Sequence, residues 1–218
     1  MLKQRYYRRV LFVAMIAVLF GFEFETSAQE KNVEPELSVS GIKLGDRESA
    51  KAFLSGYSAR IEPDRRAGYY FYNKFATQVI KLTAASFSDP YFLMEIEVFA
   101  VGRSYQNRHF QTEKIGYFET ESGIFIGHRE SALSIIVGIP GVARRDQIGP
   151  NDLVKIKGIP TERVKTEDRE MVTYSLAKIE LPGETSHFGY HSEYEFYKNK
   201  LKRLTLKAIP ANENKSKP

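Results

Sequence analysis

The stretch Gly41-Ile-Lys-Leu-Gly-Asp-Arg-Glu-Ser-Ala50 decides the fold prediction, because it recurs 82 residues later as Gly123-Ile-Phe-Ile-Gly-His-Arg-Glu-Ser-Ala132. The two stretches are identical at seven of ten positions. Such a match is expected by chance on the order of once in a hundred chains of this size. We therefore interpret the chain as an internal duplication.

The first copy has the pattern of a short extended segment followed by a helix. Ile42 and Leu44 are apolar at alternate positions, as in a strand that contacts a core. Gly45 permits a turn, and the side chain of Asp46 can cap the first free amides of a helix. An apolar stripe at helical spacing and Gly56 beyond it predict a helix of about nine residues.

The second copy predicts an equivalent helix, with Gly127 at the turn and His128 at the cap position. After each helix, runs of aromatic and β-branched residues predict a three-stranded meander. The predicted strands are Tyr69–Tyr72, Gln78–Ala84 and Tyr91–Val101 in the first copy, and Met171–Leu181, Tyr190–Tyr197 and Leu201–Ala208 in the second.

These patterns predict an α+β fold of two tandem units, each a short helical segment packed on a three- to four-stranded antiparallel meander. The units span residues 29–101 and 121–209, and residues 102–120 form the linker. Residues 148–168 have no counterpart in the first copy, so they are expected to form an inserted loop or an extra helical or extended segment. The polar tail, residues 210–218, is expected to be disordered.

The N-terminus has the pattern of a secretory signal peptide. Three arginines precede the apolar run Val10–Phe22, and small residues ending at Ala28 follow it. A helix of these 13 residues rises about 20 Å, which is short of the roughly 30 Å hydrocarbon core of a membrane. We expect cleavage after Ala28 and export to a periplasm or the cell exterior, with retention as an anchor as the alternative.

The composition excludes several classes of protein. The chain has no cysteine, which excludes disulfide scaffolds, thiolate zinc sites, cysteine nucleophiles and a lipidated cysteine. The formal net charge is +5, but residues 29–218 contain 28 basic and 25 acidic side chains. This near balance argues against a nucleic-acid partner.

The repeated motif also resembles a known family. The second copy carries the resemblance at Gly123, Ile124, Ile126, Gly127, Gly138, Pro140, Tyr194, Phe196 and Leu201, and the first copy carries it more faintly at Gly41, Ile42, Leu44, Gly45 and Gly56. With these residues the chain resembles the small outer-membrane assembly lipoproteins of the SmpA/OmlA type and the related fold of β-lactamase inhibitor protein, in which the unit occurs twice. The resemblance implies two-layer α/β units that bind other proteins. The chain lacks the family's lipidated cysteine, so anchoring in an outer membrane is not implied.

No pattern predicts a metal, a cofactor or a catalytic group. His187 and His191 lie about 13 Å apart if they belong to a strand, which is too far for one metal ion. The pairs Glu95 with Glu97 and Glu193 with Glu195 resemble the paired carboxylates of glycosidases. Their apolar neighbours occupy the opposite strand face, so the glutamates are expected to be the solvated side of half-buried strands.

We predict a protein-binding surface on the side of the sheet that faces away from the helices. The alternation places Phe92, Met94, Ile96 and Val98 in the core. The predicted partner-binding residues on the other side are Tyr91, Glu95, Glu97, Phe99, Glu193, Glu195, Tyr197 and Arg203. Aromatic residues and arginine among charges are typical of protein interfaces.

The sequence thus predicts an exported, non-catalytic module that binds a protein or associates with the envelope. The alternative is a secreted hydrolase or carbohydrate-binding protein with a site between the two units.

Overall fold

One large antiparallel sheet dominates the part of the chain that the computed structural model describes, namely residues 34–101, 110–126 and 148–211. The elements in chain order are β1 (Ser38–Val39), β2 (Ile42–Lys43), α1 (Arg47–Leu54), β3 (Arg60–Ile61), β4 (Ala67–Tyr72), β5 (Gln78–Ala84), β6 (Leu93–Ala100), β7 (Gln111–Thr112), α2 (Pro150–Lys157), β8 (Glu162–Lys165), β9 (Arg169–Ile179), β10 (Phe188–Tyr197) and β11 (Lys200–Pro210).

The large sheet joins both halves of the chain. Its strands lie in the order β3-β4-β5-β6-β11-β10-β9-β8, all antiparallel, and β7 adds a short parallel pairing to β4. The central pair is β6 with β11, in register from Arg203 opposite Phe99 to Lys207 opposite Glu95. β1 and β2 form a separate two-stranded sheet.

The predicted α+β fold of two tandem helix-on-meander units is wrong. Strands, nearly all antiparallel, take up 46% of the described residues and helices only 11%, in two helices of eight residues each. The last strand of each meander was expected to belong to its own unit. Instead β6 and β11 form hydrogen bonds with each other, so both meanders lie in one sheet.

All six predicted meander strands are confirmed, as β4 to β6 and β9 to β11. Their inward positions meet across the sheet in rows of apolar side chains. One such buried row is Phe71, Ile80, Val98, Leu204, Tyr194 and Val172. Because β4 to β6 and β9 to β11 all contribute in register, the core lies along one side of these six strands.

The predicted first helix is confirmed as α1. Asp46 is its N-cap, and its side chain accepts hydrogen bonds from the amides of Glu48 and Ser49. Gly45 has a φ of +68° and Gly56 has a φ of +90°, as expected of turns on either side of a helix. The predicted second helix, Gly127 and His128 lie outside the described residues, as does the predicted signal peptide.

Both helices pack on the inner side of the sheet. Phe53 of α1 contacts Phe71 of β4 edge to face, with ring centroids 5.1 Å apart. Leu153 of α2 is fully buried in the same core. The Tyr174 hydroxyl of β9 donates to the carbonyl of Gly158, just after α2, at 3.2 Å.

Two segments predicted outside the two meanders, the insertion and the linker, contribute to the fold. Residues 148–168 form α2 and the edge strand β8, so the insertion is both helical and extended. In the predicted linker, Phe110 and Phe118 are buried, and Gln111–Thr112 pairs with β4 as β7.

Candidate functional site

The side of the sheet opposite the core carries mostly charged and polar residues. We call the outward side of β6, β11, β10 and β9 the outer face. Its cross-strand rows are Glu95–Lys207–His191–Ser175, Glu97–Thr205–Glu193–Thr173 and Phe99–Arg203–Glu195–Met171. The main core and both helices lie on the other side of the sheet. On the outer face the charged residues of these rows are exposed or half-buried, whereas Phe99, Thr205 and Thr173 are buried.

A chain of ion pairs crosses the outer face. Arg203 Nε lies 3.2 Å from Glu97 Oε1 and 4.0 Å from Glu195 Oε2. Glu195 Oε1 lies 3.9 Å from Arg169 Nη1. Four charges of alternating sign therefore connect four neighbouring strands. Parallel to this chain, Lys207 lies 3.8 Å from Glu95.

Glu97 is a partly buried carboxylate of the outer face. Burial raises its pKa above the ordinary value of 4.5, although the cations of Arg203 and Lys81 act in the opposite direction. Its side chain is only 16% exposed, against 49% for Arg203. The ionised form of Glu97 is therefore less favourable in the folded chain than in water.

Six of the eight predicted binding residues lie on this side of the sheet with exposed or half-buried side chains. They are Glu95, Glu97, Glu193, Glu195, Tyr197 and Arg203. Tyr197, at the end of β10, is 41% exposed and packs near the ammonium of Lys198. The prediction that Phe92, Met94, Ile96 and Val98 are buried is confirmed.

Phe99 points outward as predicted, but the prediction that it is exposed is wrong. It is 5% exposed and belongs to a small second core with Tyr72, Val79 and Phe110. Phe110 comes from the segment that the sequence assigned to a linker. Phe110 and its neighbours thus cover the outward side of β4 and β5 and the Phe99 end of β6. The charged residues of β11, β10 and β9 lie beyond this cover.

The prediction that Tyr91 lies on the outer face, which assumed strict alternation along the strand, is also wrong. It precedes β6 and is half-buried against the main core. The pairing of β5 with β6 shifts register between Thr83 and Ala84. This bulge turns Leu93 inward as well as Met94, so the alternation does not continue back to Tyr91.

The outer face also contains a hydrogen-bonded series that the sequence did not indicate. Ser175 Oγ lies 2.9 Å from His191 Nδ1, and His191 Nε2 lies 2.8 Å from Glu193 Oε1. If Nε2–H donates to the carboxylate, Nδ1 accepts from the serine hydroxyl. Ser175 and His191 are opposite each other on β9 and β10, so knowledge of the strand register would have revealed the pair.

The two histidines considered for a metal do not converge. His191 is engaged by Ser175 and Glu193, whereas His187 is exposed before β10 begins. Residues 34–101, 110–126 and 148–211 contain no group of three His, Asp or Glu side chains suited to hold a metal ion. Within the same residues, no helix has the length and apolar character needed to cross a membrane.

The chain matches no protein-family model, no curated protein and no solved structure.

Proposed function

We propose that this chain is an exported, non-catalytic protein-binding module and that the outer face from β6 to β9 is its binding surface. The observation that supports this most is the chain of ion pairs Arg169–Glu195–Arg203–Glu97 on the open side of the sheet. Exposed ion pairs stabilise a fold by only about 0 to 1 kcal/mol. Charges held in fixed positions do, however, favour a complementary partner and select against others.

The mixture of charges on the outer face favours a protein as the occupant. Four glutamates, Glu95, Glu97, Glu193 and Glu195, lie among Arg203, Lys207 and Arg169. A nucleic acid would meet these carboxylates with its own negative phosphates. A protein surface with arginine and glutamate side chains can match both signs.

Charge reversal on the outer face tests this function. After the partner is isolated by crosslinking from the exported fraction, its Kd is measured for Arg203→Glu, Glu195→Lys and the control Lys51→Glu on the exposed side of α1. We expect the first two variants to weaken binding at least about tenfold, equivalent to roughly 1.4 kcal/mol. If both bind within twofold of the wild type while Lys51→Glu is weaker, the binding surface lies elsewhere.

A serine hydrolase is the second candidate, and the Ser175–His191–Glu193 series is the observation that favours it. Ser175 Oγ would attack an ester carbonyl carbon, and its proton would pass to His191 Nδ1 and then to the departing alcohol. The backbone amide of Ser175 donates to Thr161 Oγ1 at 2.9 Å. This amide is therefore engaged and does not serve as an oxyanion donor.

A fluorophosphonate probe separates the two candidates. The binding module predicts no labelling above the background of a Ser175→Ala variant. Covalent labelling of Ser175 that is lost in Ser175→Ala and reduced in Glu193→Gln would instead establish the hydrolase.

A further inference from the structure

Three apolar side chains lie at one corner of the outer face, where β8, β9 and β10 are neighbours. Val164 is opposite Met171, and Met171 is opposite Glu195. Opposite residues of an antiparallel pair lie on the same side of a sheet, so Val164 extends the outer face by one strand. Tyr197 follows two positions after Glu195 and lies on the same side. Since Val164 is 44% exposed and Tyr197 is 41% exposed, the corner presents apolar surface to solvent.

Two arginines flank the carboxylate in the middle of this corner. Glu195 Oε2 lies 4.0 Å from Arg203 Nε, and Glu195 Oε1 lies 3.9 Å from Arg169 Nη1. Both distances are too long for hydrogen bonds, so Glu195 attracts the guanidinium groups without taking up their N–H donors. Arg169 is 71% exposed, whereas Glu195 is 36% exposed. A ligand that approaches the corner therefore meets the cations first.

One of these guanidinium groups has a fixed support. Arg203 Cζ lies 5.9 Å from the centre of the Phe99 ring, and Arg203 Nε lies 3.2 Å from Glu97 Oε1. Phe99 is buried, so the ring is held by the second core. A side chain that is already restrained loses less conformational entropy when a partner binds. Arginine, tyrosine and methionine are also the residue types that are enriched in protein interfaces.

We call this part of the outer face the corner patch, which consists of Val164, Arg169, Met171, Glu195, Tyr197 and Arg203. We propose that the corner patch anchors the partner by binding a peptide segment with a carboxylate beside an apolar side chain. The carboxylate would bridge Arg169 and Arg203, because guanidinium groups match carboxylates in shape and charge. The apolar side chain would cover Met171 and its neighbours. The patch would act within the proposed function, on which this inference rests.

Lys207 provides a matched control on the same face. It belongs to β11, as Arg203 does, and it lies four positions further along the strand. This separation corresponds to about 13 Å. Its ammonium pairs with Glu95 at 3.8 Å. Lys207→Ala therefore removes a cation of the outer face without altering the corner patch.

Selection of a random peptide library displayed on phage tests the proposal on the full chain. The most enriched peptide is synthesised, and its Kd is measured for the wild type, Arg169→Ala, Tyr197→Ala and Lys207→Ala. We expect an aspartate or glutamate next to an apolar residue in the enriched peptides. Arg169→Ala and Tyr197→Ala should each weaken binding at least about tenfold, and Lys207→Ala less than about twofold. Arg169 is so exposed that its replacement leaves folding intact.

The results distinguish failure of the corner patch from failure of the proposed function. Enriched peptides without a carboxylate would overturn the proposal, as would an affinity that only Lys207→Ala lowers; in both cases the proposed function would stand. Peptides that bind all three variants as tightly as the wild type would contradict both. A short single-stranded DNA that binds as tightly as the peptide would show that the arginines attract any polyanion, which would also overturn the proposal.

Discussion

Gly45 contacts both halves of the fold, and the contact requires that the residue have no side chain. Its amide donates to the carbonyl of Leu93 at 2.8 Å, and its φ is +68°. A β-carbon at this position would lie 2.8 Å from Leu181 Cβ, in the β9–β10 connection. Gly45 therefore lies where the turn before α1 meets both meanders.

We expect Gly45→Ala to destabilise the protein by about 2 to 5 kcal/mol, since it combines backbone strain with overpacking against Leu181. Gly56→Ala is the matched control, because Gly56 has a φ of +90° but open space around it. Strain alone should cost that variant about 1 to 2 kcal/mol. Urea unfolding measures both, and equal losses would show that the contact with Leu181 is not formed.

Lys157 and Glu36 form the most deeply buried ion pair of the described residues, with side chains 3% and 2% exposed. Burial lowers the pKa of Lys157, and the charge of Glu36 partly opposes this effect. Lys157→Met leaves the Glu36 carboxylate buried without its cation, so we expect a loss of about 3 to 5 kcal/mol.

The double variant Lys157→Met with Glu36→Gln removes both charges and should recover at least half of that loss. The free energies come from denaturant unfolding at pH 7. If the double variant is as unstable as the sum of the single ones, the two charges do not interact in the folded protein.

At the scale of the element, β6 has one strand face in the core and one that carries a partly buried carboxylate. Because the folded pKa of Glu97 is raised, the folded state binds more protons than the unfolded state between the two pKa values. Its contribution to stability is therefore greatest at low pH and declines as the pH rises through this window.

Glu97→Gln should consequently gain stability relative to the wild type as the pH increases from 4 to 7. Urea unfolding at several pH values measures this difference. Glu167→Gln, in an exposed turn, corrects for the loss of one charge from the whole chain. If Glu97→Gln instead loses stability relative to the wild type over this pH range, the ion pair with Arg203 outweighs the effect of burial.

The strands were predictable because aromatic and β-branched runs alternate strongly with polar residues, as in Tyr190–Tyr197. The pairing of β6 with β11 was not predictable, since a strand with one solvated face has the same alternation of apolar and polar residues at the edge of a sheet and in its centre. This is why one sheet was predicted as two units. The cover over Phe99 was missed for a related reason: Phe110 lies in a segment without periodicity.

At the scale of the whole molecule, the structure has a covered side and an open side. The helices and the main core occupy the inner side, and the ion-pair chain crosses the outer face. Six of eight predicted binding residues lie on that open side. Their side of the sheet could be predicted because the alternation of side chains along a strand depends only on the local sequence. Ser175 and His191 could not be paired from sequence, because their contact depends on register across the β9–β10 connection.

The claim that the outer face is a protein-binding surface is tested most directly by site-specific photocrosslinking in cells that produce the protein. A photoreactive amino acid is placed at Glu193 on the outer face and, as a control, at Lys51 on the exposed side of α1. We predict a defined crosslinked protein from position 193 that disappears when Arg203→Glu is added, and no such product from position 51. Crosslinking from position 51 alone, or a product at position 193 that is unaffected by Arg203→Glu, would contradict the claim.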